Sequence, residues 1–525
     1  MGFIFIWSPA LCGASDVVPA DGDAIVTSSI SEPVNLIPFF ASDSASADIS
    51  SLIFNGLVKY DKDLSLVGDL AERWEVKNGG LKIIFYLKNN VLWQDGKPFT
   101  AEDVVFTFQK LTDPNVPTPY GGDFEKIKNI EMLGPYAVEV NYKEPFSPGL
   151  SSWGMGIVPK HILEKQDLLK TDFSRHPIGT GPYILKKWKT GEKLELTANP
   201  GYFEGRPHID RYIYRIIPDQ STAFLELQTD NLDLGVLTPL QYQKQTESRF
   251  FHEKFSKFRM PSSNYVYLGY NLENPLFMDK KVRKALGLAI QKNEIVEVAL
   301  SGLGRVATGP FLPGTWAYNE KVKESAFDPE KAKRMLGEAG WADTDGDHVL
   351  DKEGKKFSFT VLTNQGNDQR RMACEMIQKR LKDIGVDMKI QTVEWGTFLK
   401  EFIDKKRFEA VVLAWQLPRD PDCFDIFHSS KTSPGNFNFV SFRSETLDKL
   451  LEKGRQVFDE EKRAPVYRRI HEILSDEEPY TFLYVPDALP IVHKRFLGIK
   501  LAPAGIGYNF IHWHVPAERQ KYKRA

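Results

Sequence analysis

Asp343, Asp345 and Asp347 stand at alternate positions in DTDGDHVLDKEG (343–354), a spacing that lets a loop offer oxygens to a hard cation. The pattern departs from a calcium loop at two points. His348 takes the sixth position, where the turn calls for Gly, and Gly354 takes the twelfth, where a bidentate Glu belongs. A solvated polar hairpin loop suits the residues better. His512 and His514 flank Trp513, and strand-like alternation would put both imidazoles on one face. They have no third ligand nearby in sequence. His161, alone in PKHILEKQ, reads as a surface residue. GTGPY (179–183) has the glycines of a phosphate cradle, but a strand to Trp188 follows it. A cradle needs the free N–H groups of a helix start, so a tight turn into a strand is expected instead. The chain has no G-x-S-x-G elbow, H-E-x-x-H, P-loop or paired C-x-x-C. The 70 acidic residues single out no glycosidase pair.

Positioning elements come from hydrophobic periodicity. In 71–108, Asn78-Gly79 supplies a hairpin turn, and Leu81, Ile83, Phe85 and Leu87 alternate along a strand. Asp95-Gly96 turns the chain again. Thr100 is an expected N-cap, with Glu102 and Asp103 in the first helical turn and Val104, Val105, Phe108 and Leu111 as the apolar stripe. This is a ββα unit. Later segments alternate strand and helix. They include strands at 194–198 and 212–217, a helix over 219–230 and one amphipathic helix over 281–300. Another α/β unit follows: strand 356–362, helix 368–384 and strands 387–393 and 408–413. Helices 446–458 and 459–475 come next, then C-terminal strands that can rejoin the first unit. The character of the sequence shifts near Pro261, where a domain crossing is expected.

Bulk properties exclude some classes. The chain has 525 residues, 42% hydrophobic and 26% charged, with a formal net charge of −2, and its cations are scattered. Nucleic-acid binding needs a basic stripe that is not there. Aromatic residues make up 12%, enough for large cores and a ring-lined cleft. Residues 2–11 (GFIFIWSPAL) are apolar but too short to span a bilayer, and read as the end of a secretory signal with cleavage near Ser15. The start lacks the charged region of a complete signal. Cys12 is an alternative lipidation site, although Leu11 precedes it where Gly or Ala is usual. Cys374 and Cys423 read as buried free thiols, with a disulfide as the alternative.

Several ordered motifs resemble the family 5 extracellular solute-binding proteins, the peptide- and nickel-type receptors of ABC importers. They are A-x-x-W and W-x-D-G-x-P-F-T-A-E-D-V-x-F (71–106), GTGPY, Y-N-L-x-N-P-L-F-x-D-K-x-V-R-x-A-L-x-x-A-I (270–290), A-T-G-P-F-x-P-G-x-W (307–316) and the pattern ending P-Y-T-F-L-Y (479–484). The resemblance spans about residues 24–516. It implies an α/β fold of the type II periplasmic-binding-protein kind, with two lobes around a cleft and an extra inserted α/β domain. The expected division is 1–15 signal remnant, 22–50, 171–262 and 487–525 lobe 1, 51–170 inserted domain and 263–486 lobe 2.

The resemblance further implies an exported receptor that binds oligopeptides and passes them to ABC permease subunits. It would act as a monomer, without cofactor or nucleic acid, in the periplasm or on the outer face of the cytoplasmic membrane. A metal chelate, sugar or haem is the alternative ligand within that class, and an exported hydrolase a remote alternative outside it. In peptide-binding relatives a Trp at a strand end is followed by an Asp that pairs with the ligand's α-amino group. Here Trp415 ends the strand EAVVLAW, and Asp420 lies five residues on rather than three, beside Arg419. Asp420 is therefore a ligand-amine candidate, a partner of Arg419 or a turn cap, and Asp422 is a weaker candidate. Tyr265, Asn271, Trp395, Trp415 and Asn436 are expected to line the pocket. The opening segment with Glu32, Pro33, Asn35, Leu36 and Pro38 is expected along the cleft.

Overall fold

The computed structural model describes residues 19–417 and 419–522. The signal segment and Cys12 lie outside them. Three sheets organise the chain. The first joins Phe255–Lys257, Pro490–His493, Leu234–Val236, Gly22–Ser29, Ile209–Ile216, Lys193–Ala198 and Tyr183–Lys189 in that spatial order. It is assembled from the start, the middle and the end of the chain. Gly22–Ser29 runs parallel to both of its neighbours, while the outer pairs are antiparallel.

Within the second sheet, Met260–Pro261, Tyr480–Ala488, Asn264–Tyr270, Ala410–Gln416, Ser358–Asn364 and Asp387–Val393 follow one another, and Gly304–Val306 also pairs with Tyr480–Ala488. Ala410 to Leu413 are all buried, as expected of an apolar run covered on both faces. The third sheet is a four-stranded antiparallel unit of Ala71–Lys77, Lys82–Leu87, Ala137–Tyr142 and Ile127–Gly134.

The expected ββα unit is present. Asn78 and Gly79 both have positive φ, 52° and 62°, as the turn demands. Trp93 is buried, and its indole N–H donates to Asp103. Thr100 and Asp103 form a reciprocal capping box at the start of helix Ala101–Leu111.

Two expectations change. Residues 281–300 form two helices, Lys280–Leu288 and Lys292–Ala299. The Asp328 N–H donates to the Leu288 carbonyl from outside and closes the first helix there. His512–His514 is not a strand either. A 3-10 turn over Gly507–His512 ends at Trp513, and only His514 makes a β-bridge, to Leu497.

Packing divides the molecule differently from the sheets. One continuous core links the four-stranded unit (Ile83, Phe85, Trp93, Val138) to the first sheet (Tyr183, Leu194, Leu196, Tyr214) and includes no residue between 263 and 486. The second sheet carries its own cores. The chain passes from the first sheet to the second between Lys257 and Met260 and returns between Ala488 and Pro490. These two connections lie side by side, because Met260 pairs with Ala488 and Lys257 with Ile491.

Candidate functional site

Trp415 sits near the end of Ala410–Gln416 and opposite Tyr265 in register. Period two aligns aromatic side chains here. Tyr267 stacks on Tyr480 with centroids 4.0 Å apart, and near-parallel on Trp415 at 6.5 Å. The Trp415 indole donates to the Tyr480 hydroxyl at 3.2 Å. Phe437 meets Trp415 edge-on, and Tyr120 of the four-stranded unit meets Phe437 in the same way at 5.6 Å. An aromatic layer therefore crosses the seam between the second sheet and the rest of the molecule. Tyr265 is fully buried with no partner for its hydroxyl among the described residues, and the buried Trp395 indole N–H likewise has none.

The remaining candidates divide. Asn436 adjoins Phe437, and its N–H donates to the Ser433 carbonyl. Asn271 is not brought to Trp415. Tyr270 pairs with Ala410 and Tyr265 with Trp415, so about 20 Å of strand separates Asn271 from the level of Trp415. The Asn271 side chain instead donates to the Phe408 carbonyl and accepts from Glu273 N–H. Glu32 accepts from the Trp188 indole and Gly191 N–H, and Asn35 accepts from Ile37 N–H. Both are held on the first-sheet side.

Asp420 and Asp422 are ion-paired within the protein. Arg463 grips Asp420 with two bonds of 2.8 and 3.0 Å, so its partner is not Arg419, which donates to Ser263. Arg455 donates to Asp422 from Nε at 2.8 Å and also bonds Asp123 of the four-stranded unit at 2.8 Å. A ligand amine at Asp420 would have to compete with Arg463.

Sequence reasoning missed Arg370. Its Nη1 donates to Asn364 at 2.6 Å, and its buried Nε has no partner among the described residues. Burial lowers its pKa, and the titratable groups beside it, Tyr484, Tyr267 and Cys374, are themselves kept neutral by burial. One signal was available. Arg370 stands in the first turn of helix Asp368–Lys382, where the dipole disfavours a cation. Such placement does not serve helix stability. Arg455 and Arg463 carried no such signal, since their partners come from distant segments.

Motifs with tempting chemistry have local explanations. Asp343, Asp345 and Asp351 converge, but the Lys356 ammonium reaches Asp345 at 2.5 Å and Asp347 at 2.9 Å, giving the loop its own counter-charge. In GTGPY, a Cβ on Gly179 would lie 1.8 Å from the Ile53 carbonyl, so the glycine permits a close backbone approach. Cys374 and Cys423 are free and buried.

Residues 65–437 match the bacterial extracellular solute-binding proteins, family 5. The chain belongs to this family. Its members are binding receptors of the cell exterior. The family 5 fold extends over nearly the whole chain. The oligopeptide-binding protein AppA of Bacillus subtilis is 37% identical over 509 residues, covering 94% of this chain and 92% of AppA. The structure of that protein in complex with a nonapeptide matches with a TM-score of 0.91 at 36% identity, over 95% of this chain and 99% of the other. NikZ from Campylobacter jejuni, in complex with Ni(L-His), matches with a TM-score of 0.84 at 30% identity, over 94% and 99%. These neighbours identify the fold as α/β of the type II periplasmic binding kind. Among the described residues no helix is long and apolar enough to cross a membrane.

Proposed function

We propose that this family 5 protein is the exported receptor of a peptide-type ABC importer. The observation that carries the reading is the near-complete match to the nonapeptide-bound AppA structure. In this reading lobe 1 comprises 22–50, 171–262 and 487–525, residues 51–170 are the inserted domain, and lobe 2 is 263–486. The shared core supports lobe 1 and the inserted domain moving as one body, with a hinge at the paired connections near 258 and 489. An extended peptide would lie between the lobes. Its main chain would bond as an added strand and its side chains would enter the aromatic layer, which tolerates varied sequences.

Trp415, Trp395 and Asn436 would face it from lobe 2, with the fully buried Tyr265 packed beneath them, and Glu32 and Asn35 would face it from lobe 1. The unpartnered donors of Trp395 and Arg370 suit ligand carbonyls and a carboxylate. Asp420 fixes the loop after Trp415 through Arg463, and Asp422 does so through Arg455. The closed receptor then docks on permease subunits. Export through the N-terminal segment, with Cys12 as a lipid anchor or Ser15 as the mature start, completes the proposal.

A thermal-shift screen tests it. Peptide pools of two to ten residues at a hundred times Kd add ~2.7 kcal/mol of stability. A melting curve that ignores peptides and rises with a nickel–histidine chelate or haem rejects the peptide assignment.

A further inference from the structure

Lobe 2 meets the inserted domain through a polar seam centred on Arg455, whose side chain is 3% exposed. Asp422 and Asp425 of lobe 2 lie 2.6 and 3.8 Å from its Nη2. Asp123 reaches the same nitrogen at 2.8 Å from the other side. Lys431 is the second cation, 3.2 Å from Asp425, and its ammonium lies against Gly122. The rings of Phe424 and Phe146 cover the guanidinium at 3.8 and 5.4 Å. Ser147 N–H bonds the Arg455 carbonyl at 2.6 Å, and Gln456 bonds Glu144 at 3.0 Å. Lobe closure makes or breaks together the contacts that cross the seam, those of Asp123, Phe146, Ser147, Glu144 and Gly122.

The charges do not balance. Within lobe 2, Arg455 and Lys431 neutralise Asp422 and Asp425. Closure brings in Asp123 as a third carboxylate with no third cation. Of the other charged groups at the seam, Lys126 is matched with Glu144 and Arg463 with Asp420, while Arg419 lies by Tyr60 and donates to Ser263 rather than to Asp123. Glu452 on the rim is more than half exposed and lies 3.6 Å from His428. Burial holds His428 below its ordinary value of 6.5, so it brings no positive charge above that pH. Tyr142 and Cys423, also near, stay neutral because burial raises both.

We propose that closing the seam between the inserted domain and lobe 2 takes up a proton at Asp123, so that pH as well as ligand sets the open–closed balance of the receptor. The proposal rests on the lobe-closure reading above. Ser152 donates to one Asp123 oxygen and Arg455 to the other. A quarter of the side chain remains exposed, so the proton has a route in. In the closed form, desolvation and the neighbouring Asp425 and Asp422 outweigh Arg455 and raise the Asp123 carboxyl to about 7. In the open form the carboxyl faces water and keeps an ordinary value. A group whose pKa rises on closure favours closure at low pH, and that contribution fades as pH climbs through about 7.

Small-angle X-ray scattering of the ligand-free full chain tests this, with the curves fitted to open and closed forms. The closed-to-open ratio should be about tenfold higher at pH 6 than at pH 8. Asp123→Asn keeps a carbonyl for Arg455 and removes the charge, so its ratio should be flat with pH and lie above the wild-type value even at pH 6, where the open form of the wild type is still ionised. Asp425→Asn removes one of the two carboxylates that face Asp123 from lobe 2 and should weaken the pH response without touching the inserted domain. Equal wild-type ratios at pH 6 and pH 8 overturn the proposal, as does a full pH response that survives in either variant. Peptide pools added at each pH separate the two readings. Contraction with peptide but not with pH removes only the proton coupling. No contraction under any condition removes the closure reading with it.

Discussion

The loop after Trp415 shows how a single side chain's role depends on its partner. Asp420 keeps a fifth of its side chain exposed and is held by both terminal nitrogens of a buried Arg463. Asp420→Asn removes one partner of this bidentate pair and leaves a buried guanidinium unmatched. It should destabilise the protein by about 2–4 kcal/mol. Peptide affinity should weaken equally for free and N-acetylated peptides, because the defect lies in the loop and not at the amine. Calorimetry on matched peptide pairs checks this, and a loss confined to free amines would return the amine role to Asp420. The spacing from Trp415 to Asp420 raised the question, but the answer lies 43 residues away at Arg463. No local pattern announces that pairing.

Elements were more legible where local chemistry closes on itself. The Thr100 cap, the Asn78-Gly79 turn and the strand after it need partners only a few residues away, and all three are present, although Leu81 stays exposed in the turn and Ile84 is buried along with Ile83 and Phe85. Thr100→Ala should cost about 1 kcal/mol by chemical denaturation, with peptide affinity unchanged, since Thr100 caps the end of helix Ala101–Leu111 opposite the one whose Leu111 carbonyl lies against Gly121 near the seam. The pair of helices at 280–299 was not legible. Its break has no Gly or Pro, and depends on a carbonyl capped by Asp328 from a distant loop. His512 and His514 alternate as a strand would, but tertiary packing placed a 3-10 turn there.

For the whole molecule, acid acts in two directions. It should favour closure at the Asp123 seam, yet weaken the packing of lobe 2 around His471. This imidazole is fully buried, accepts from Asn319 N–H at 3.1 Å, and is driven down to about 4 by desolvation. A depressed pKa gives stability that is complete above the unfolded value of 6.5 and is lost as pH falls toward 4. The stability advantage of wild type over His471→Gln should therefore shrink by about 2 kcal/mol between pH 7 and pH 5, as read by urea unfolding at each pH. A constant difference would mean that folding leaves the His471 pKa unshifted.

Short-range order and family were present in the sequence, because caps, turns and alternating strands are satisfied within a few residues and several such motifs recur in one order. The cleft was named only in outline. Trp415 and Tyr265 proved to be register partners, while Asn271 sits at the far end of the same strand pair. Tertiary structure alone decided which acids are free and which are paired, which core the inserted domain shares, and where three carboxylates meet one guanidinium. Those outcomes depend on residues hundreds of positions apart becoming neighbours, and charge balance and desolvation are properties of the neighbours, not of the order in which they are strung.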